Sequence, residues 1–334
     1  LLIAGLPVLG KGLTWDSLHL LRPYDSGELL AAWSGPWDPD GIERPSYRLL
    51  LPIFFTLLHG VFGDRPSLQR CFVIVLTSLS LLMLVEAARP YVRRWTIPAV
   101  GIVLALLSNA TPVYVGWLTE AFRPLQLFWF AGCILLLQRG LARRSIPLLS
   151  LALLAQAAGL LTREENLPLV LFPVVLCRGR RAWPMAALFL AQVPIYLLLR
   201  RAFIEESLPG IADFLRGPPE LLLATLKSYP LTGLPILLAI AAGLLLARGR
   251  ERLPICLALV MVPLACLPGA AMVRIDLVLF PSLFLCLAAA FGLEPLVVSK
   301  RIAARAAAFV LLAALALFGI AGGWKRVAQL DDLA

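Results

Sequence analysis

The sequence predicts an all-α protein, a polytopic bundle of about eleven transmembrane helices. Its 334 residues are 60% hydrophobic and 15% charged, with a mean hydropathy of +0.87. Soluble domains have about 45–50% apolar and about 25% charged residues. The apolar residues form runs that approach the length of about 20 residues that crosses a bilayer as a helix. Between these runs the basic residues form small clusters, which is typical of membrane proteins.

This composition argues against a soluble enzyme and against a disordered chain. The net charge of +10 does not indicate a nucleic-acid partner, because the arginines form no basic run or stripe. The six cysteines and two histidines of the sequence form no CxxC pair and no His/Cys cluster. Neither a disulfide framework nor a zinc site is therefore predicted.

The apolar runs predict a partial first helix at 1–12 and ten further spans. The further spans are 68–88, 95–116, 120–138, 145–162, 166–177, 182–199, 230–247, 253–270, 276–298 and 302–323. A transmembrane domain then comprises 1–323, and 324–334 forms an external tail.

The loops between the predicted spans alternate in charge. Every second loop carries an arginine cluster, and these clusters hold 15 of the 30 basic residues but only Glu86, Glu251 and Glu294 among the acidic ones. Since basic loops stay on the cytoplasmic side, the clusters are predicted to be cytoplasmic. They are Arg89, Arg93 and Arg94; Arg139, Arg143 and Arg144; Arg178, Arg180 and Arg181; Arg248, Arg250 and Arg252; and Lys300, Arg301 and Arg305.

Two long loops, 13–67 and 200–229, are then external. Loops of this length are uncommon without a function or structure of their own. The apolar stretch 49–62 predicts a helix lying along the membrane interface. Trp33 and Trp37 suit the headgroup region.

Acidic residues of the first external loop are candidates for chemistry. Asp16 directly follows the first span, so we expect it near the membrane surface, where it could act as a general base. It could equally hold a divalent cation such as Mg²⁺ or Mn²⁺. Asp25 and Glu28 are three residues apart and would share a face of a helix. The alternative is that such acids are caps and turn residues of a solvated loop.

Three external turns carry charges close to apolar runs. The run 166–177 would cover only about 18 Å as a helix, so the turn before it is expected below the outer surface, inside protein or in a wet cavity. Ionisable groups at that depth are functional candidates, although structural ion pairs and snorkelling arginines are the alternatives. The residues are Glu120 with Arg123, Arg163 with Glu164 and Glu165, and Arg274 with Asp276.

Together these turns predict one outward-facing cavity lined by acids and guanidinium groups. Arginine suits such a cavity if the ligand is a phosphate, because its planar fork binds phosphate oxygens in pairs.

This arrangement resembles the GT-C superfamily of integral-membrane glycosyltransferases, especially those that use polyprenyl-phosphate sugars, such as the protein O-mannosyltransferases and their bacterial relatives. Leu49, Ile275 and Ser17 depart from the family pattern, which has Pro, Tyr and a second acidic residue there. The stretches that resemble the family are Asp16 after the first helix; Tyr47-Arg48-Leu49-Leu50 followed by Phe62-Gly63-Asp64-Arg65-Pro66; Leu161-Thr162-Arg163-Glu164-Glu165-Asn166 followed by Leu167-Pro168; and Arg274-Ile275-Asp276 to Pro281.

The resemblance implies an inverting transferase on the outer face of a bacterial inner membrane. It would move a sugar from a polyprenyl-phosphate donor to a protein, glycan or lipid acceptor. Asp16 stands where the family has its catalytic Asp, and Asp25 and Glu28 compete for the role of base. Donor phosphate would lie on Arg274 and Arg163. Supporting roles fall to Tyr47, Arg48, Glu120, Arg123, Glu164 and Glu165.

Two other functions compete with the transferase. The departures favour a catalytically inactive subunit that scaffolds other membrane subunits. A lipid or sugar transporter is less well supported, because the sequence shows no inverted repeat. Family members often carry a soluble C-terminal domain, and we expect the natural chain to continue beyond one or both ends.

Overall fold

The computed structural model describes residues 21–35, 48–94, 96–97, 99–101, 121–163, 166–177, 182–203, 211–227, 233–247, 251–267 and 279–331. Within these ranges all regular secondary structure is helical. Short 3₁₀ turns lie at Arg89–Tyr91 and Pro168–Val170. The α-helices are α1 (Ser26–Ser34), α2 (Leu50–Phe62), α3 (Pro66–Ala88), α4 (Phe122–Arg143), α5 (Ile146–Thr162), α6 (Leu171–Leu176), α7 (Trp183–Phe203), α8 (Ile211–Lys227), α9 (Gly233–Leu246), α10 (Arg252–Ala265), α11 (Leu279–Val298) and α12 (Ile302–Asp331).

Four helices in the described part of the chain are long and apolar enough to cross a membrane: α3, α4, α7 and α11. This confirms the all-helical fold and supports a membrane protein. Shorter apolar helices α5, α9 and α10 occupy three further predicted spans. The predicted helix 1–12 and most of 95–116 fall outside the described residues.

Some predicted boundaries were wrong. The run 166–177 is not one helix but a 3₁₀ turn followed by the six-residue α6. Pro173 explains the break, because it has no N–H to donate to the carbonyl four residues earlier. Helices α1 and α8 lie inside the two long loops, in stretches for which the sequence predicted no helix. The last helix continues beyond 323, through most of the predicted tail, to Asp331.

The chain divides into two compact units, each described here by itself. Unit 1 contains 1–8, 85–114 and 209–334, and unit 2 contains 9–84 and 115–208.

Unit 2 is organised by the antiparallel hairpin of α4 and α5. Helix α4 ends at Arg144, whose φ of 51° turns the chain sharply, and the Ser145 N–H caps the Gly140 carbonyl at 3.0 Å. Gly140 faces Leu149 near the turn, and Trp129 faces Gly159 farther along the hairpin. These two contacts set the register of the hairpin.

In unit 1, α11 is the central helix and packs against α8, α9, α10 and α12. It is apolar on every side, which is the pattern of a helix surrounded by others. Gly243 of α9 and Gly292 of α11 meet backbone to backbone: a Cβ at Gly243 would overlap the Gly292 Cα, and one at Gly292 would overlap the Ala239 carbonyl. Small residues permit this approach in place of large apolar side chains.

One end of unit 1 gathers three of the segments predicted to be cytoplasmic. The Arg93 backbone N–H donates to Glu294 near the end of α11, and the Arg93 guanidinium pairs with Glu251 at 2.6 Å. Glu86 pairs with Arg89 one turn away. All three acidic residues of the predicted cytoplasmic side therefore have arginine partners at this end.

The glycine contact predicts the effect of adding one methyl group. Gly243→Ala should lower the free energy of unfolding by about 1–3 kcal/mol, because α9 and α11 must move apart. Gly233→Ala, in the first turn of the same helix and with no atom of another described residue within 4 Å of its Cβ position, is the matched control and should be neutral or slightly stabilising. Thermal unfolding in detergent measures both, and equal melting temperatures for the two variants would contradict the backbone contact.

Candidate functional site

The described parts of the first long loop, 21–35 and 48–67, pack onto the beginnings of α3 and α4 in unit 2. Helix α2 forms the centre of an apolar cluster, called the loop cluster below. On the other side of α2, Leu57 and Val61 are exposed. That exposed apolar face agrees with the predicted interfacial helix. Gly63, with a φ of 56°, ends α2, and its N–H donates to the His59 carbonyl. The buried members of the cluster are Leu21, Tyr24, Leu51, Phe55, Leu58, Val73, Ala121 and Phe122.

Asp25 and Glu28 form the N-terminal cap of α1. The Asp25 carboxylate accepts the Glu28 backbone N–H at 2.8 Å, and the Glu28 carboxylate accepts the Asp25 backbone N–H at 2.9 Å. This reciprocal pair is a capping box. The alternative interpretation of Asp25 as a helix cap is thereby confirmed.

Arg22 holds the second carboxylate of this pair. Its two terminal nitrogens donate to the two oxygens of Glu28 at 3.0 and 2.6 Å, and its guanidinium stacks on the Tyr24 ring at 4.5 Å. The Tyr24 N–H in turn donates to the Thr56 hydroxyl of α2 at 3.0 Å. Asp25 and Glu28 therefore organise the loop on α2.

The Glu28 carboxylate is held in its charged form. The hydrogen bonds from Arg22, and then the one from the Asp25 backbone, hold the pKa of Glu28 below its ordinary value of 4.5. A carboxyl with a lowered pKa is a weaker proton acceptor at neutral pH.

Two predicted site arginines meet around one aromatic ring. The Arg163 guanidinium lies 4.3 Å and the Arg123 guanidinium 5.1 Å from the centroid of Phe122. Their side chains are 3% and 1% exposed. Phe122 belongs to the loop cluster, so the first external loop packs directly beside this pair.

The two described residues of the turn after α5, Arg163 and Asn166, are buried. Both the Arg163 backbone N–H and the Asn166 amide donate to the Gly159 carbonyl, at 3.1 and 2.6 Å. Asn166 is 1% exposed. These bonds close the end of α5 and hold Arg163 against α4.

The other predicted residues are only partly described. Arg48 is 8% exposed, and its carbonyl accepts the Leu51 N–H in the first turn of α2. Six predicted residues lie outside the described ranges: Asp16, Tyr47, Glu120, Glu164, Glu165 and Arg274. Among described residues no three His, Cys, Asp or Glu side chains form a group that could hold a metal. The divalent cation therefore stays a prediction.

Sequence reasoning missed three buried polar residues of unit 2. Gln69 and Arg70 near the start of α3 are each 1% exposed, and Gln126 of α4 is 0% exposed. A charge inside an apolar run, as at Arg70, is a usable signal of function at membrane depth. Gln126 follows Arg123 by three residues, which places it on the same side of α4.

Comparison of the chain with family models, with curated proteins and with solved structures gives no match to any of them.

The Arg22–Glu28 pair predicts a pH-dependent stability. Because the folded pKa of Glu28 is lowered, its contribution is fully present above pH 4.5 and is lost as the pH falls through the lower folded value. Glu28→Gln should therefore cost up to about 1 kcal/mol at pH 7 and progressively less below pH 4.5. Melting temperatures of both proteins from pH 3 to pH 7 measure the difference. A difference that stays constant over this range would contradict the ion pair.

Proposed function

We propose that the protein is a GT-C-type membrane glycosyltransferase that moves a sugar from a polyprenyl-phosphate donor to a protein, glycan or lipid acceptor. The observation that carries this proposal is the buried pair of guanidinium groups around Phe122, beside the folded first external loop. We infer that this pair is part of the site for the donor phosphate.

A phosphate suits this arrangement for electrostatic reasons. Two guanidinium groups beside one ring concentrate positive charge and hydrogen-bond donors at one place. An anion with several oxygens can accept hydrogen bonds from both groups. Arg163 was expected at the phosphate from the resemblance, and its burial beside Arg123 extends the expectation to a second arginine. Arg274, to which the resemblance also assigns the donor phosphate, lies outside the described residues and stays a prediction.

The reaction would proceed by direct displacement. An acceptor oxygen attacks the anomeric carbon, its proton passes to a carboxylate base, and the bond from the anomeric carbon to the phosphate oxygen breaks. The electron pair leaves with the polyprenyl phosphate, and the guanidinium groups stabilise the charge that develops there.

Asp16 is the proposed base. The Asp25 and Glu28 carboxylates already accept hydrogen bonds that fold the loop, which supports a structural role for both. Asp16 follows the first predicted span, next to the loop that packs beside Phe122.

The proposed topology has about eleven spans, with the site on the outer face of a bacterial inner membrane. The segments that meet around Arg93 in unit 1 were all predicted to be cytoplasmic. Those that meet around Phe122 in unit 2 are the first long loop, predicted to be external, and the beginnings of the predicted spans 68–88 and 120–138. Each grouping supports the alternation of loops that the proposal requires.

A second candidate is a catalytically inactive subunit that scaffolds other membrane subunits. The use of both Asp25 and Glu28 in folding the loop favours it, since only Asp16 then remains of the three candidate bases.

Donor binding tests the phosphate site. Arg123→Gln and Arg163→Gln should each weaken binding of a polyprenyl-phosphate hexose at least tenfold, because each removes a charged hydrogen-bond donor. Arg143→Gln, at the exposed opposite end of the same helix α4, should leave binding unchanged. Native mass spectrometry of the purified proteins with added donor measures the bound fraction. Binding retained in both site variants would place the phosphate elsewhere.

Turnover tests the base. Asp16→Asn should lower kcat by about a hundredfold or more while donor binding is kept. Asp64→Asn is the control, because its side chain is 89% exposed in the same external loop. The measurement is sugar transfer from a panel of polyprenyl-phosphate sugars by the reconstituted protein. Full turnover by Asp16→Asn would show that Asp16 is not the base. A wild-type protein that binds the donors but transfers no sugar would favour the scaffold.

A further inference from the structure

Gln126 is a buried amide without local partners. It is 0% exposed, and neither its Oε1 nor its Nε2 has a hydrogen-bond partner among the residues the structure describes. Burying an amide in this state costs free energy that a protein normally avoids. A side chain of this kind indicates that a bound ligand supplies the missing hydrogen-bond partners.

Two arguments place Gln126 at the arginine pair. It lies one turn after Arg123 on the same side of α4. In the hairpin, Trp129 lies against Gly159 and Gly140 lies against Leu149. The same register puts Gln126 of α4 level with Thr162 and Arg163 at the end of α5. The Gln126 amide is therefore on the same side of α4 as Arg123 and at the level of Arg163.

The chemistry of the amide distinguishes its ligand from a phosphate. A primary amide presents a donor and an acceptor together, and a hydroxyl group can complement both. Phosphate oxygens only accept, so they would leave Oε1 of Gln126 unsatisfied. One turn farther along α4, Trp129 presents a buried indole N–H that likewise has no partner among the described residues. Both side chains therefore have buried polar atoms that a hydroxyl group can complement.

We propose that Gln126 hydrogen-bonds a sugar hydroxyl of the bound donor and makes this site selective for the glycosylated lipid. This inference rests on the proposed function, since it takes Arg123 and Arg163 as the phosphate site.

The test compares two lipids that differ only in the sugar: a polyprenyl-phosphate hexose and the same polyprenyl phosphate without it. Gln126→Leu should weaken binding of the glycosylated lipid by about five- to tenfold, because one hydrogen-bonded hydroxyl loses its partner. Binding of the lipid without sugar should change less than about twofold. Gln192→Leu of α7 is the matched control, because the Gln192 Nε2 already donates to the Leu153 carbonyl at 3.2 Å and only its Oε1 has no partner among the described residues. It should affect neither lipid.

Melting temperature separates this role from a structural one. Removing an unsatisfied amide should leave the stability of Gln126→Leu unchanged or raise it, and Gln126→Met should behave alike. A marked drop in both variants would mean that the fold uses the amide and would overturn the proposal.

The binding outcomes also separate the two levels of inference. Equal weakening for both lipids, or none for either, would overturn the role of Gln126 while leaving the donor site intact. If the wild-type protein binds neither lipid, the proposed function itself is overturned.

Discussion

Desolvation is the constraint on which most of this structure depends. A guanidinium or carboxylate buried in an apolar bundle costs several kcal/mol unless other groups stabilise its charge. The protein meets this cost by stacking and pairing: Arg163 and Arg123 stack on Phe122, and the Arg93 backbone N–H donates to Glu294. The partly exposed Arg22 likewise stacks on Tyr24 and pairs with Glu28. Each of these contacts also joins segments that are distant in sequence or fixes a loop. The charged residues therefore determine how the loops are connected to the helices.

The apolar helices follow a second physical rule within unit 1. Lipid and protein interiors are about equally apolar, so helices there gain from close packing more than from burial of large side chains. The contact of Gly243 with Gly292 provides such packing for α9 and α11. In unit 2 the tight turn at Arg144 and the caps at Gly159 hold α4 and α5 in one register. That register brings Gln126 to the level of Arg163, so packing of the hairpin decides which polar side chains become neighbours.

The first external loop shows how helix capping limits chemistry. A carboxylate that accepts two backbone or guanidinium hydrogen bonds has a lowered pKa and a fixed orientation. Glu28 has both properties, and Asp25 accepts the bond that begins α1. Their places in the loop explain its fold on α2. Asp16 is the remaining candidate for proton transfer, because it directly follows the first predicted span.

Composition and periodicity by themselves determined that the protein is helical and apolar enough to enter a membrane, because these properties are summed over many residues. The short apolar run 166–177 that follows Arg163 also predicted that its turn lies below the outer surface. The tertiary structure alone decided that Asp25 and Glu28 cap one helix, that Arg123 joins Arg163 at Phe122, and that Gln126 is buried level with Arg163 in the hairpin. It also decided that the run 166–177 is divided, at Pro173. Such pairings depend on which helix faces meet, and a hydropathy profile carries no information about contacts between segments distant in sequence.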